Sequence, residues 1–383
     1  MAVDPVTKSI FVMEEMISEL SYAPVAFAVK KLNGELYENA ATKLGWAPPQ
    51  AYRGIVEREI IVYDTFYLLN TFVGHDLSFG GGTLLNWIHL RDTPRFSFDI
   101  DSTYLKSPTS KTELLNGLVD RLNHTLRSKG YATGYAMDEK TIEIGAIHLD
   151  VEKDHFPNLL SLQRTVPCIE TGEEISQYLK RRHLTLSPSD ARILRKTWNG
   201  RLPRIEQVRI EIAFSDTNQE TPVFPFDRKT VSPILSDALD VRSTVAKVTL
   251  PETIAALKIA DLAKPYQRNE ESFLLVDFIK DLCDLRILDK VDYRKIIEQM
   301  KDTLNIDPPT TLGRALIEID KLSTSAEAAN WYENRGIQTL FMRKKMTFDQ
   351  LASKVRSSLE ALQGFYPKQS RDHASIPRDT RHR

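Results

Sequence analysis

Three glycines in a row, Gly80 to Gly82, are followed by Thr83 and, after a helix-sized interval, by Arg95-Phe96-Ser97-Phe98-Asp99-Ile100-Asp101. No other stretch constrains the fold as much. Alternation along a strand would place Ser97, Asp99 and Asp101 on one face and Phe96, Phe98 and Ile100 on the other. Two carboxylates then share one metal-sized spot. Like charges a few Å apart resist joint ionisation, so the pair calls for a divalent cation or a large pKa shift. Hard oxygen ligands suit magnesium, and a glycine turn entering a helix suits a triphosphate. Leu77-Ser78-Phe79 reads as a short strand ending in the glycines, and Thr83 to Leu90 as a helix without breakers. The implied order is strand, turn, helix, carboxylate strand, and the implied chemistry is that of nucleotides.

Around this centre the chain divides into unlike parts. Residues 1–50 hold one helical pattern, Ile10 to Leu20, and end in the Pro/Gly-rich Gly45-Trp46-Ala47-Pro48-Pro49, so they read as an N-terminal helical extension. Val56, Ile60, Tyr63 and Tyr67 recur at helical spacing and predict an amphipathic helix over 52–72. Beyond Asp101, Ser110 and Glu113 form a capping box, and Leu114, Leu115, Leu118, Val119, Leu122 and Leu126 make one apolar face that ends near Gly130. Strands are expected over Thr141 to Val151, Asn158 to Val166 and Gln207 to Phe214. From about residue 250 the pattern is helical: Glu252 to Lys264, Glu270 to Leu288, Tyr293 to Leu304, Leu312 to Leu322, Ala326 to Tyr332 and Phe348 to Leu362. The expected division is a core over 51–215, a helical domain over 216–366 and a polar, basic, disordered tail over 367–383. The fold class is α+β.

Charge and cysteine content narrow the setting. With 51 Lys+Arg against 52 Asp+Glu, the 383-residue chain has a net charge of -1, which argues against a protein that coats nucleic acid uniformly. One local exception stands out. Between Lys180 and Arg209 there are nine basic and two acidic residues, with Trp198 among them, and that density suits an RNA backbone as well as it suits a solvated loop. Arg181, Arg182, Arg195 and Lys196 are the RNA-binding candidates. Cys168 and Cys283 are the two cysteines, too few for a disulfide framework or a cysteine zinc site. No basic stretch followed by an apolar run opens the chain, and no segment approaches the roughly 20 apolar residues of a membrane span. A cytoplasmic protein without a membrane partner is expected.

Gly81-Gly82-Thr83 followed by Arg95, Ser97, Asp99 and Asp101 resembles the first motif of the AbiEii/AbiGii nucleotidyltransferase toxins, within the DNA polymerase β-like superfamily. Lys258 with Ala260, then Arg268, then Lys280-Asp281-Leu282-Cys283-Asp284-Leu285, is similar to that family's later lysine and basic-Asp-x-x-Asp motifs. Both blocks occur in the right order, over roughly residues 52 to 290, in patches. The resemblance implies a mixed sheet with flanking helices as a nucleotidyltransferase core, followed by a helical C-terminal domain. It also implies a pyrophosphate-releasing, NTP-dependent enzyme acting as a toxin in a toxin–antitoxin or phage-defence pair, with tRNA as acceptor and a cognate antitoxin as partner. A small-molecule acceptor, or a silent nucleotide- or RNA-binding module, are the alternatives.

In the roles this implies, Asp99 and Asp101 hold Mg2+ (or Mn2+) against the phosphates. Gly81, Gly82 and Thr83 bring backbone N–H groups to the β- and γ-phosphates. Ser97 adds a hydroxyl, and Lys258 reaches the triphosphate as a mobile charge while Asp281 orients it or the base. The third carboxylate is Glu211, on the polar face of its strand, with Asp150 as a rival. Arg95 steadies the site or pairs with an acid. His75, His89 and His148 lack metal spacing.

Overall fold

A computed structural model describes residues 49–91, 95–106, 112, 115–128, 133–137, 140–144, 146–150, 158–174, 201–214, 221–227, 230, 243–264, 273–336 and 346–366. The expected N-terminal extension up to residue 48, the Ser110–Glu113 capping box, Arg268, the RNA-binding candidates Arg181, Arg182, Arg195 and Lys196, and the expected disordered tail lie outside the described residues.

Helix α1 (Pro49–Val73) leads into β1 (Leu77–Gly80), and the glycines open α2 (Gly81–Leu84), which continues as a π turn over Leu85–His89. Strand β2 (Asp99–Tyr104) carries the aspartates, and a π turn over Leu115–Val119 precedes α3 (Asp120–Ser128). Strands β3 (Thr133–Met137) and β4 (Lys140–Ile144) form a separate hairpin. Strands β5 (Ile147–Leu149), β6 (Leu159–Glu174) and β7 (Arg201–Phe214) then complete a five-stranded mixed sheet in the order β1-β2-β7-β6-β5. The pair β2/β7 is parallel and the other pairs in that sheet are antiparallel.

The expected strand over Thr141 to Val151 is therefore two strands serving different sheets, and β6 and β7 are both longer than their periodicity suggested. Beyond Val166 and before Glu206 the pairing among the described residues is of these two strands with each other, with register shifts at Pro167/Thr171 and Thr171/Glu174. Proline removes a ladder donor and favours such irregularity.

Register explains which face becomes the core. Ile100, Ile210, Ile212, Leu160, Leu162, Leu77 and Phe79 are buried on one side, while Asp99, Asp101, Arg209, Glu211 and Gln163 share the other. Helix α1 supports the apolar side. Its burial is broader than the expected stripe, taking in Ile61, Val62, Thr65, Phe66, Leu68 and Leu69, because the helix meets the sheet and a two-stranded ribbon as well. That ribbon is β8 (Val223–Phe226) paired with β9 (Thr244–Lys247). Phe66 is the hub: its ring lies 4.9 Å from Phe79, 4.9 Å from Phe226 and 5.6 Å from Trp87. Aromatic contacts of this kind add about 0.5–1.5 kcal/mol each beyond area burial. They pin β1 and the π turn on both sides of the glycines.

Helices fill the remainder: α4 (Pro251–Leu262), α5 (Phe273–Asp284) with a 3-10 turn over Leu285–Lys290, α6 (Tyr293–Glu298), α7 (Pro308–Ser323), α8 (Ala326–Trp331) and α9 (Phe348–Phe365). Their starts follow from local chemistry, with Asp292, Asp307, Ser325 and Thr347 each accepting a backbone N–H at the helix N-terminus. Their shared core includes Leu85 from the π turn beside the glycines and Leu90 just after it. The fold is thus a mixed sheet with flanking helices followed by a helical part.

Candidate active site

Strand β1 delivers the glycine turn beside β2, with Gly80 in register with Asp101. Gly81 has φ +65, and a Cβ there would sit 1.6 Å from Asp101 Oδ2, so the turn and the carboxylate are in direct apposition. Only glycine fits both demands. Thr83 is fully buried and its hydroxyl donates to the Asp99 carbonyl, so the side chain ties the turn to β2. Ser97 is buried in the extended lead-in to β2, one residue pair before the strand begins.

Asp99 and Asp101 are both half-buried and share the polar face, as the alternation required. Glu211 lies in register with Asp101 on the parallel neighbour β7, and Arg209 lies in register with Asp99. Burial, with the negative charges of Asp99 and Glu211 adding to it against Lys258 and Arg95, pushes the Asp101 carboxyl up to about 7. Asp150 follows β5 at the far side of the sheet, bonded through its backbone N–H to the Ser161 carbonyl at 2.9 Å. Three strand spacings of about 4.8 Å separate β5 from β2, so the geometry groups Glu211, and not Asp150, with the aspartates.

The helical part adds the cations. Lys258, on α4, donates to Asp281 Oδ1 on α5 at 2.6 Å and lies 3.8 Å from Asp284 Oδ2. Burial alone would lower the Lys258 ammonium, but Asp281 and Asp284 outweigh it and hold it above the ordinary lysine range. Burial likewise raises the Asp281 carboxyl, to about 6 against the pull of Lys258, so at neutral pH the two stand as an ion pair.

Arg95 pairs with an acid, and the acid is Asp284. Arg95 Nε donates to Oδ1 at 2.8 Å and Nη2 to Oδ2 at 2.5 Å, with the two side chains 4% and 0% exposed. Asn86 completes the arrangement: its Nδ2 donates to Asp284 Oδ1 at 2.9 Å and to the Gly82 carbonyl at 2.7 Å, and its Oδ1 accepts the Arg95 N–H at 2.8 Å. The sequence motifs had brought in Asp284 only as part of a run, and Asn86 not at all. The available signal for Asn86 was its place four residues after Gly82, one helical turn beyond the glycines.

Among the described residues, no group of three His, Cys, Asp or Glu is disposed to hold a metal ion. The donor set on the polar face is nonetheless all hard oxygen. Magnesium commonly takes one or two protein carboxylates and completes its octahedron with water and substrate phosphates, which is the chemistry two clustered aspartates fit. A cavity of about 160 Å³, lined by Phe72, His75, Asp76, Arg121 and Leu122 among others, includes none of these residues in its walls.

A glycine turn set against paired aspartates on the polar face of a mixed sheet, with a lysine brought in from a following helix, defines a nucleotidyltransferase. The family model described as Nucleotidyl transferase AbiEii toxin, type IV toxin–antitoxin system, matches residues 67–331, and the chain belongs to that family. It is therefore a nucleotidyltransferase toxin of a type IV toxin–antitoxin system, as the motifs had led us to expect. Among solved structures, the chain is similar to MenT4, a nucleotidyltransferase toxin from Mycobacterium tuberculosis H37Rv, at 12% identity and a TM-score of 0.39, covering 82% of this chain and 88% of that one. A search of curated proteins finds no match. No helix among the described residues is long and apolar enough to cross a membrane.

Proposed function

We propose that this toxin is a magnesium-dependent enzyme that transfers NMP from an NTP to an RNA acceptor, with tRNA the expected substrate. The observation that carries the reading is the apposition of Gly81 with Asp101 on the face shared by Asp99 and Glu211. In this reading the acceptor hydroxyl attacks the α-phosphorus, the bond to the bridging oxygen breaks, and pyrophosphate leaves. A divalent cation held by Asp99 and Asp101 supplies charge neutralisation at the phosphates. Glu211, in register with Asp101 on the neighbouring strand, is the third carboxylate.

In this reading backbone N–H groups of the glycine turn donate to phosphate oxygens beside the Asp101 carboxylate, at glycines that carry no Cβ of their own. Lys258, kept charged and oriented by Asp281, places a positive charge at the edge of the carboxylate cluster. Ser97 adds a hydroxyl on the approach to β2. The acceptor reading rests on the strands that flank the basic run: β6 leaves and β7 returns, and β7 sets Arg209 beside Asp99. The chain joining them carries Arg181, Arg182, Arg195 and Lys196, suited to phosphate contacts. A cognate antitoxin follows from the family.

Incubation with α-labelled NTPs and total RNA tests this directly, and label is expected in tRNA. Label that survives combined Asp99→Asn and Asp101→Asn substitution would contradict the mechanism. Pyrophosphate release with label in a small molecule and none in RNA would remove the RNA acceptor.

A further inference from the structure

We infer that Asp284 is a positioning residue for transfer: from the last turn of α5 its buried carboxylate fixes Arg95 and the glycine turn in the place where the triphosphate would lie. The inference rests on reading that turn as the phosphate cradle.

Four contacts carry it. Asp284 is fully buried and grips Arg95 through both oxygens at 2.8 and 2.5 Å. It accepts from Asn86, whose same amide group holds the Gly82 carbonyl. A Cβ on Gly82 would fall 2.3 Å from Arg95 Nη2 and 3.0 Å from Asp284 Oδ2, so the guanidinium lies directly beneath the second glycine. Lys258 stands 3.8 Å from the same carboxylate, on the side facing Asp281. One acid thus sets three things at once: the height of the turn, the start of the segment leading to Asp99, and the resting place of the site lysine.

Charge makes the arrangement exclusive. Burial alone would raise the Asp284 carboxyl, but Arg95, Lys258 and Asn86 outweigh it and hold it below the usual carboxylate range. A neutral residue here leaves a buried guanidinium unpaired, which is strongly destabilising, whereas replacing both members of a buried pair by apolar residues of similar volume is often neutral. That asymmetry separates position from mere stability.

The experiment compares wild type, Asp284→Asn, the double variant Arg95→Met/Asp284→Leu, and Asn86→Ala, measuring thermal midpoint, NTP binding, and the KM for NTP and for RNA with kcat. The double variant is expected to recover most of the thermal midpoint lost by Asp284→Asn while transfer remains depressed by about 100-fold, the usual consequence of an ångström-scale misplacement. Asn86→Ala, which leaves the ion pair intact, is expected to raise the KM for NTP and leave the KM for RNA unchanged. A stability role alone would reduce the active fraction and move neither KM. Recovery of both stability and rate in the double variant, or an Asn86→Ala enzyme with wild-type KM for NTP, would overturn the inference. Wild-type protein that binds no NTP would instead overturn the reading on which it rests.

Discussion

The proton on Asp101 summarises the local electrostatics. Burial and the charges of Asp99 and Glu211 lift its carboxyl from 3.8 to about 7, so the folded chain holds that proton more tightly than the unfolded chain does. The stability this provides is complete below about pH 4 and is lost as pH rises through about 7. In chelator, the thermal midpoint of wild type should therefore fall more steeply between pH 5 and pH 8 than that of Asp101→Asn. Parallel pH curves for the two proteins would show that the cluster exerts no such repulsion. Residue by residue, the paired aspartates, the glycines, Lys258 and Asp281 could be picked out from the chain because short-range alternation or a motif marks them. Asn86 and the Arg95–Asp284 pair could not, since 198 and 189 positions separate the partners and only the packing of α5 against the turn brings them together.

At the scale of elements, the glycine turn is the most constrained piece. Gly81→Ala would force a Cβ into Asp101 Oδ2 at 1.6 Å and an alanine into φ +65, a backbone region costing about 1–2 kcal/mol for a non-glycine residue. Transfer should fall by at least about 100-fold from the displaced carboxylate, with a smaller loss of stability; an alanine variant of wild-type rate would separate the turn from the chemistry. Helix α3 and the helices from Pro251 onward could be read from 3.6-residue periodicity, and β1, β2 and the end of β7 from alternation. Strand β4 fell within the expected strand over Thr141 to Val151, whereas β3 and the β8/β9 ribbon escaped because each is short, and the ribbon is held by a neighbour distant in the chain, Phe226 against Phe66. The extra length of β6 and β7 escaped because Pro167 and Pro203 break the strand pattern where the pairing continues irregularly.

For the molecule as a whole, the helical part is joined to the site rather than appended to it. Leu85 and Leu90 lie in the helical core, Arg95 is neutralised by α5, and the charge of Lys258 on α4 acts on the Asp101 carboxyl. The family resemblance already placed lysine and acid motifs in that part, but only their burial against the turn explains why the sheet needs them. The whole account depends on Asp99 and Asp101 receiving a cation together with a triphosphate. Crystals soaked with a non-hydrolysable NTP and Mn2+, with anomalous data collected at the manganese edge, test that directly. A peak bridging both aspartates and the phosphate oxygens, with the triphosphate over Gly81 and Gly82, is the expected result; bound nucleotide elsewhere, or with no anomalous peak beside the pair, would contradict it.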